Sequence, residues 1–230
     1  MHVALVTVGD EILAGDTVNT NAAWLGRQLA DRGVTVERTT VVPDRLADIA
    51  RVVNEYHAEY DAVIVTGGLG PTHDDRTIEG VAAAFGRDVV ESEEALAWLE
   101  DHGGYERSEL TAETGHVPEG ARVLPNHEGV APGCVVESCY VLPGVPAEMK
   151  RMFAEIEGEF AGQDRHVVHV DADEPESALL DRLAAVQERF PVKVGSYPGD
   201  HVTVKFEGTD ESVVEDAAAW FEARVEAPED

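Results

Sequence analysis

Residues 3–8 form an apolar run interrupted only by Thr7, the pattern of a strand buried on both faces. A helical period follows over residues 20–32, with Ala23, Trp24, Leu25 and Leu29 on one side and Gly33 at its end. Residues 34–42 predict a second strand, less buried because Glu37 and Arg38 lie inside it. Pro43-Asp44 breaks the chain, and residues 45–57 return to helical spacing through Leu46, Ile49, Val52 and Val53. Residues 62–65 read as a short, wholly apolar third strand. A glycine-rich loop separates it from a helix through Ile78, Val81 and Phe85, for which Asp74 or Asp75 is the expected cap. Buried strands alternating with helices predict a mostly parallel sheet in a three-layer α/β/α sandwich.

Beyond this core the pattern predicts two helices over residues 91–114, split by His102-Gly103-Gly104. An irregular, proline-rich stretch leads to a hairpin over residues 134–142 with Glu137-Ser138 at its turn. A helix from Pro146 to about residue 157 follows, started by its proline. Residues 158–164 read as a linker. The remainder reads strand 165–170, helix 176–190, strands 192–196 and 201–206, and helix 210–225, a small βαββα unit. The expected division is therefore 1–160 and 161–230. About 60 residues give the second unit a modest core, so a homo-oligomer is expected, a dimer before a trimer.

Composition narrows the classes. Hydrophobic residues make up 43% of 230, enough for a real core. The start runs directly into a strand, and no segment reads as a membrane span or signal peptide. Cys134 and Cys139 are expected to be reduced, which makes a cytoplasmic protein the default. Acids outnumber bases 46 to 17, a net charge of -29, which argues against nucleic-acid partners. The carboxylates are spread along the chain rather than gathered in a tail, as expected of a halophilic protein whose self-repulsion is screened by salt.

The candidate chemistry lies in three loops. Thr66-Gly67-Gly68-Leu69-Gly70-Pro71-Thr72-His73-Asp74-Asp75-Arg76-Thr77 joins a buried strand to a helix, where α/β proteins receive phosphate. Gly67, Gly68 and Gly70 let backbone N–H groups approach an anion, although a tight turn alone can use them. The loop is neither a P-loop nor a dinucleotide fingerprint. One of Asp74 and Asp75 suffices to stabilise the helix start. A second acid beside phosphate implies an intervening cation such as Mg²⁺. The second loop, Gly9-Asp10-Glu11-Ile12-Leu13-Ala14-Gly15-Asp16-Thr17-Val18-Asn19-Thr20-Asn21, leaves the same sheet edge. Asp10 and Glu11 offer carboxylates there and Asn19 a hydrogen-bonding amide, while Thr20 or Asn21 can cap the next helix. Asp44 follows the second strand to this edge. The third piece, Leu142-Pro143-Gly144-Val145-Pro146-Ala147-Glu148-Met149, can wall a pocket through Gly144 and Pro146.

These motifs carry a resemblance. The opening through Asn19-Thr20-Asn21, the 66–77 loop, the stretch from Leu124-Pro125-Asn126 to Ala131-Pro132-Gly133, and residues 142–149 resemble, in order, the competence/damage-inducible protein CinA family. Residues 1–157 are similar to its molybdopterin-binding domain of the MoaB/Mog type. Residues 165–225, through Gly195-Ser196-Tyr197-Pro198, resemble its small middle domain. The deamidase domain of full-length members has no counterpart, and Leu69 follows CinA rather than the molybdenum-cofactor enzymes.

The resemblance implies a metal-dependent pyrophosphatase acting on ADP-ribose or related nucleotide sugars. Residues 67–70 hold the diphosphate in that reading. Asp75, Asp44 and Asp10 are its catalytic candidates, and Asp10, Glu11 and Asp75 hold Mg²⁺, with Mn²⁺ or Co²⁺ as substitutes. Gly9, Glu11, Asn19, Gly67, Gly68, Gly70, Asp74, Gly144 and Pro146 are the expected ligand contacts. The alternatives are a molybdopterin-binding or adenylyl-transfer protein and a non-catalytic nucleotide-binding protein. A KH-like nucleic-acid role for the small unit lacks both a G-x-x-G clamp and a basic surface.

Overall fold

The computed structural model describes residues 1–70, 75–103 and 114–228. The chain forms two compact units, Met1–Gly162 and Gln163–Asp230. In unit 1, β1 (His2–Val8), β2 (Thr35–Val42), β3 (Ala62–Gly67) and β8 (Cys139–Pro143) make the parallel part of a six-stranded sheet. Antiparallel β7 (Gly133–Val136) and β6 (Arg122–Leu124) complete the order β2-β1-β3-β8-β7-β6.

The two faces of this sheet explain the continuous apolar runs. Val3 and Leu5 of β1 and Ala62 and Ile64 of β3 face α2 (Thr20–Asp31) and α6 (Pro146–Ile156), in one core with Leu25, Leu29, Met149 and Phe153. Val6, Val8, Val63 and Val65 point the other way, toward α3 (Leu46–Glu59) and α4 (Thr77–Ala84), in a core with Ile49, Val53 and Val81. Alternate residues thus serve opposite layers, so polar positions are almost excluded. This is the predicted three-layer α/β/α arrangement. Gly80 lets α4 come close to α3, since a Cβ there would lie 2.5 Å from Ile49 Cγ2.

Several elements differ from expectation. Residues 10–14 form a short helix, α1 (Asp10–Ala14), rather than loop, ended by Gly15 at φ 80°. Two three-residue strands, β4 (Val89–Glu91) and β5 (His116–Pro118), pair as a ribbon between α4 and the main sheet in sequence. Segments this short carry no readable period. The first of the two expected helices is α5 (Glu93–Trp98), capped by Ser92 Oγ accepting from Ala95 N at 3.3 Å. A π-helical turn, Leu99–Gly103, continues it. Most of the second lies outside the described residues.

The hairpin turns at Glu137, whose φ is 54°. Cys134 and Cys139 are reduced and fully buried on its two strands. Burial pushes the Cys134 thiol up to about 12 and the Cys139 thiol well above its usual range. Neither thiol is expected to react with iodoacetamide at pH 8 in the folded protein, and both are expected to react in denaturant. Labelling read by intact mass checks this.

Unit 2 runs β9 (His166–Ala172), α7 (Glu176–Arg189), β10 (Lys193–Pro198), β11 (Val202–Gly208) and α8 (Glu211–Glu222), with antiparallel order β10-β11-β9. It closes a core of its own around Leu179, Val186, Val204, Phe206, Val214 and Phe221. No helix among the described residues is long and apolar enough to cross a membrane.

Candidate functional site

Loops leaving the carboxyl ends of the parallel strands converge at one rim of unit 1. Gly67, which ends β3, and Gly144, after β8, approach backbone to backbone: a Cβ on Gly144 would lie 3.3 Å from the Gly67 carbonyl. Asn21, in the first turn of α2, then donates from Nδ2 to the Gly144 carbonyl at 2.7 Å. Asn19 caps the same helix. Its Oδ1 accepts from Ala22 N at 3.0 Å and its Nδ2 donates to Thr7 Oγ1 at 3.0 Å. Asn19, not Thr20 or Asn21, is thus the cap, its side chain reaching forward to the N–H three residues on. A cleft of about 90 Å³ opens here, lined by Thr7, Glu11, Asn19, Asn21, Gly144 and Pro146 among others.

On the other side of the glycine loop lies a cleft of about 290 Å³, lined by Leu69, Gly70, Asp75, Ile78, Glu79, Val89 and His116. None of Gly67, Gly68 and Gly70 has a φ in the left-handed region. They are glycines for space. A Cβ on Gly68 would overlap Asp75 Oδ1 and lie 2.7 Å from its Cγ, and one on Gly70 would lie 2.9 Å from Oδ2. A Cβ on Gly67 would overlap the Thr77 hydroxyl and lie 2.8 Å from Val8 Cβ. The Asp75 carboxylate therefore lies against the loop backbone. The residue at the cap position of α4 is Arg76, which makes no side-chain cap.

The expected metal-holding group of acids is not found among the described residues. Asp44 Oδ2 accepts from the backbone N–H of Asp10 at 2.8 Å, tying the start of α1 to the β2–α3 connection. The Glu11 carboxylate folds back over Gly9, where a Cβ would lie 2.6 Å from Oε1. Gly9 itself donates to the Val42 carbonyl at 3.1 Å. Among the described residues no group of three or more His, Cys, Asp or Glu side chains is placed to hold a metal ion. Asp10, Glu11 and Asp75 are thus not placed as a metal triad. The carboxylates of Asp44, Glu11 and Asp75 are turned to different pieces of backbone. Asp74 and His73 lie outside the described residues.

Two cations near these loops have partners of their own. Arg76 pairs with Glu79 at 3.2 Å, and the Lys150 ammonium lies 5.7 Å from the centre of the Trp24 ring. The structure adds Thr7, Thr66 and Asn21 to the site. Thr7 had a signal in the sequence, as the lone polar residue of a buried strand.

Comparison with known proteins agrees with this architecture. The family described as probable molybdopterin binding domain matches residues 4–161, and the middle domain of FAD synthase matches residues 165–228. A protein of Archaeoglobus fulgidus is 41% identical over 224 residues, 96% of this chain and 97% of its own. A CinA-like protein of Citrifermentans bemidjiense is 36% identical over 99% of this chain, which spans 59% of that longer relative. The crystal structure of a CinA protein of unknown function from Thermoplasma acidophilum is 38% identical, covers 69% of this chain and 97% of its own, and superposes with a TM-score of 0.64.

These findings correct the hydrolase reading. Its metal and acid groups do not converge among the described residues, and the solved relative carries no assigned activity that would restore it. A metal-dependent ADP-ribose pyrophosphatase is therefore withdrawn. The halophilic reading of the charge goes with it: nothing in these relatives supports it, and many acids have local partners, as in Arg122–Glu159, Arg165–Glu207 and Arg182–Glu174.

Proposed function

We propose a binding function on one premise: the chain belongs to the CinA-like family, and its first unit is a probable molybdopterin binding domain. A phosphorylated pterin or a nucleotide is taken up at the rim of the parallel strands and held without being cleaved. The observation that carries this reading is the contact chain Asn21–Gly144–Gly67. It joins a helix start, a glycine loop and a strand end around the two clefts. Backbone N–H groups at a helix start and in a glycine loop attract phosphate without needing a lysine or arginine. That suits a rim whose nearby cations are engaged elsewhere.

In this reading Asp44 and Asp75 are positioning residues. Asp44 fixes α1 through the Asp10 N–H, and Asp75 fixes the glycine loop from beneath. Glu11, Asn19, Gly144 and Pro146 wall the smaller cleft. Titrating the protein with pterin, AMP and ADP-ribose, by pterin fluorescence or calorimetry, is expected to give saturable one-to-one binding of at least one. Absence of saturable binding by all three would reject the reading.

A further inference from the structure

Asn21, which lines the smaller cleft, carries a buried side-chain oxygen with no hydrogen-bond partner among the described residues. Asn21 is 8% exposed and lines the cleft with Thr7, Thr66 and Gly144. Its amide orientation is fixed by the bond from Nδ2 to the Gly144 carbonyl. Turning the amide over would set Oδ1 against that carbonyl oxygen, two acceptors at hydrogen-bonding distance. Oδ1 is therefore held on the opposite side, where it is buried and accepts no hydrogen bond. Asn126, the other buried asparagine, shows the ordinary outcome. Its Nδ2 donates to the Ala131 carbonyl and Glu148, and its Oδ1 accepts from Glu128 N and Gly129 N. A buried carbonyl left unpaired is disfavoured and needs an explanation.

The surroundings describe what would complete it. Thr7 Oγ1 accepts from Asn19 Nδ2 at 3.0 Å and from the Thr66 hydroxyl at 3.5 Å, which leaves its own hydroxyl proton to be donated. Val8, Ile12, Val18 and Pro146 add apolar walls to the same cleft. Apolar walls around an acceptor and a donor suit a flat ring system with a polar edge better than a bare phosphate or sugar.

We propose that Asn21 is the specificity-determining residue of this cleft: its Oδ1 accepts a hydrogen bond from an N–H on the edge of the bound heterocycle, and so selects rings that carry such a donor. This rests on the cleft being the ligand site. A site built to pair a polar edge rejects the analogue lacking it far more strongly than an apolar pocket rejects a small change in bulk.

Two ligand pairs test it, each differing in the ring donor: pterin against 1,3-dimethyllumazine, and AMP against N6,N6-dimethyl-AMP. In whichever pair binds, the wild type is expected to prefer the donor-bearing member at least tenfold. Asn21→Ser, and separately Asn21→Leu, are expected to reduce that preference below threefold. Melting curves show whether each variant is folded. Equal affinities within a pair for the wild type, or an unchanged preference in a folded variant, would overturn the assignment of Asn21 while leaving the binding function standing. Failure of the wild type to bind any of the four would overturn the assignment of Asn21, and the binding function falls with it only if ADP-ribose also fails to bind.

Discussion

Gly68→Ala is expected to lower affinity for the bound ligand roughly a hundredfold, about 2.7 kcal/mol, while leaving the protein folded. The added methyl cannot coexist with the Asp75 carboxylate, which occupies its position. The methyl therefore displaces either the Asp75 carboxylate that braces the loop or the loop itself. Either displacement removes the backbone N–H groups from the anion they are arranged to meet. The stability cost of such overpacking is about 1–3 kcal/mol, a partial loss. Gly26→Ala is the matched control. It places the same methyl inside α2, where nothing lies within 4 Å, and is expected to stabilise by about 0.5–1 kcal/mol through helix propensity alone. The two substitutions are chemically identical and are predicted to act in opposite directions on stability, with only the first affecting binding. Titration and thermal melting of both variants check this.

Phe153→Ala is expected to have the largest effect on stability, a loss of about 3–5 kcal/mol in the transition assigned to unit 1. Phe153 is fully buried on α6. Trp24 meets its ring edge-on at 5.6 Å, Phe160 stacks on it at 5.6 Å, and the Arg32 guanidinium lies 5.9 Å from its centre. Truncation leaves a cavity between α6 and α2, the two helices whose starts carry the site. Arg32 also pairs with Glu157 just beyond α6, so the same seam is held at its far end. Denaturant unfolding followed separately for the two units measures the loss. A change below 1 kcal/mol would show that this seam repacks easily and does not fix the site.

The fold was largely legible because its core strands are buried on both sides. Two-sided burial leaves residues 3–8 and 62–65 almost without polar positions, and helices of twelve or more residues repeat long enough to show their period. The three-residue strands Val89–Glu91, His116–Pro118 and Arg122–Leu124 were not legible, since their pairing is decided by distant partners. The five residues of α1 were hidden for the same reason.

The convergence of the loops was legible, and the hydrolase chemistry read from them was not borne out. The loops do leave the same sheet edge, as strand order requires. That Asp10, Glu11, Asp44 and Asp75 would share a cation does not follow from a shared edge. A carboxylate close to backbone N–H groups turns to them, and Asp44 does so at the Asp10 N–H. The glycine loop reads as permissive backbone in sequence, yet each of its glycines makes room for a neighbouring side chain. Asn21 looked like a cap because it begins a helix. Its role emerges only once Asn19 is seen to be the cap and Gly144 to hold its amide.

The most direct test of the account is a calorimetric titration of the wild-type chain with pterin, AMP and ADP-ribose, followed by chromatography of the recovered ligand. The account predicts saturable binding of at least one of them, close to one per chain, with the ligand recovered intact. Conversion of a bound ligand to products, or no saturable binding by any of the three, would contradict it.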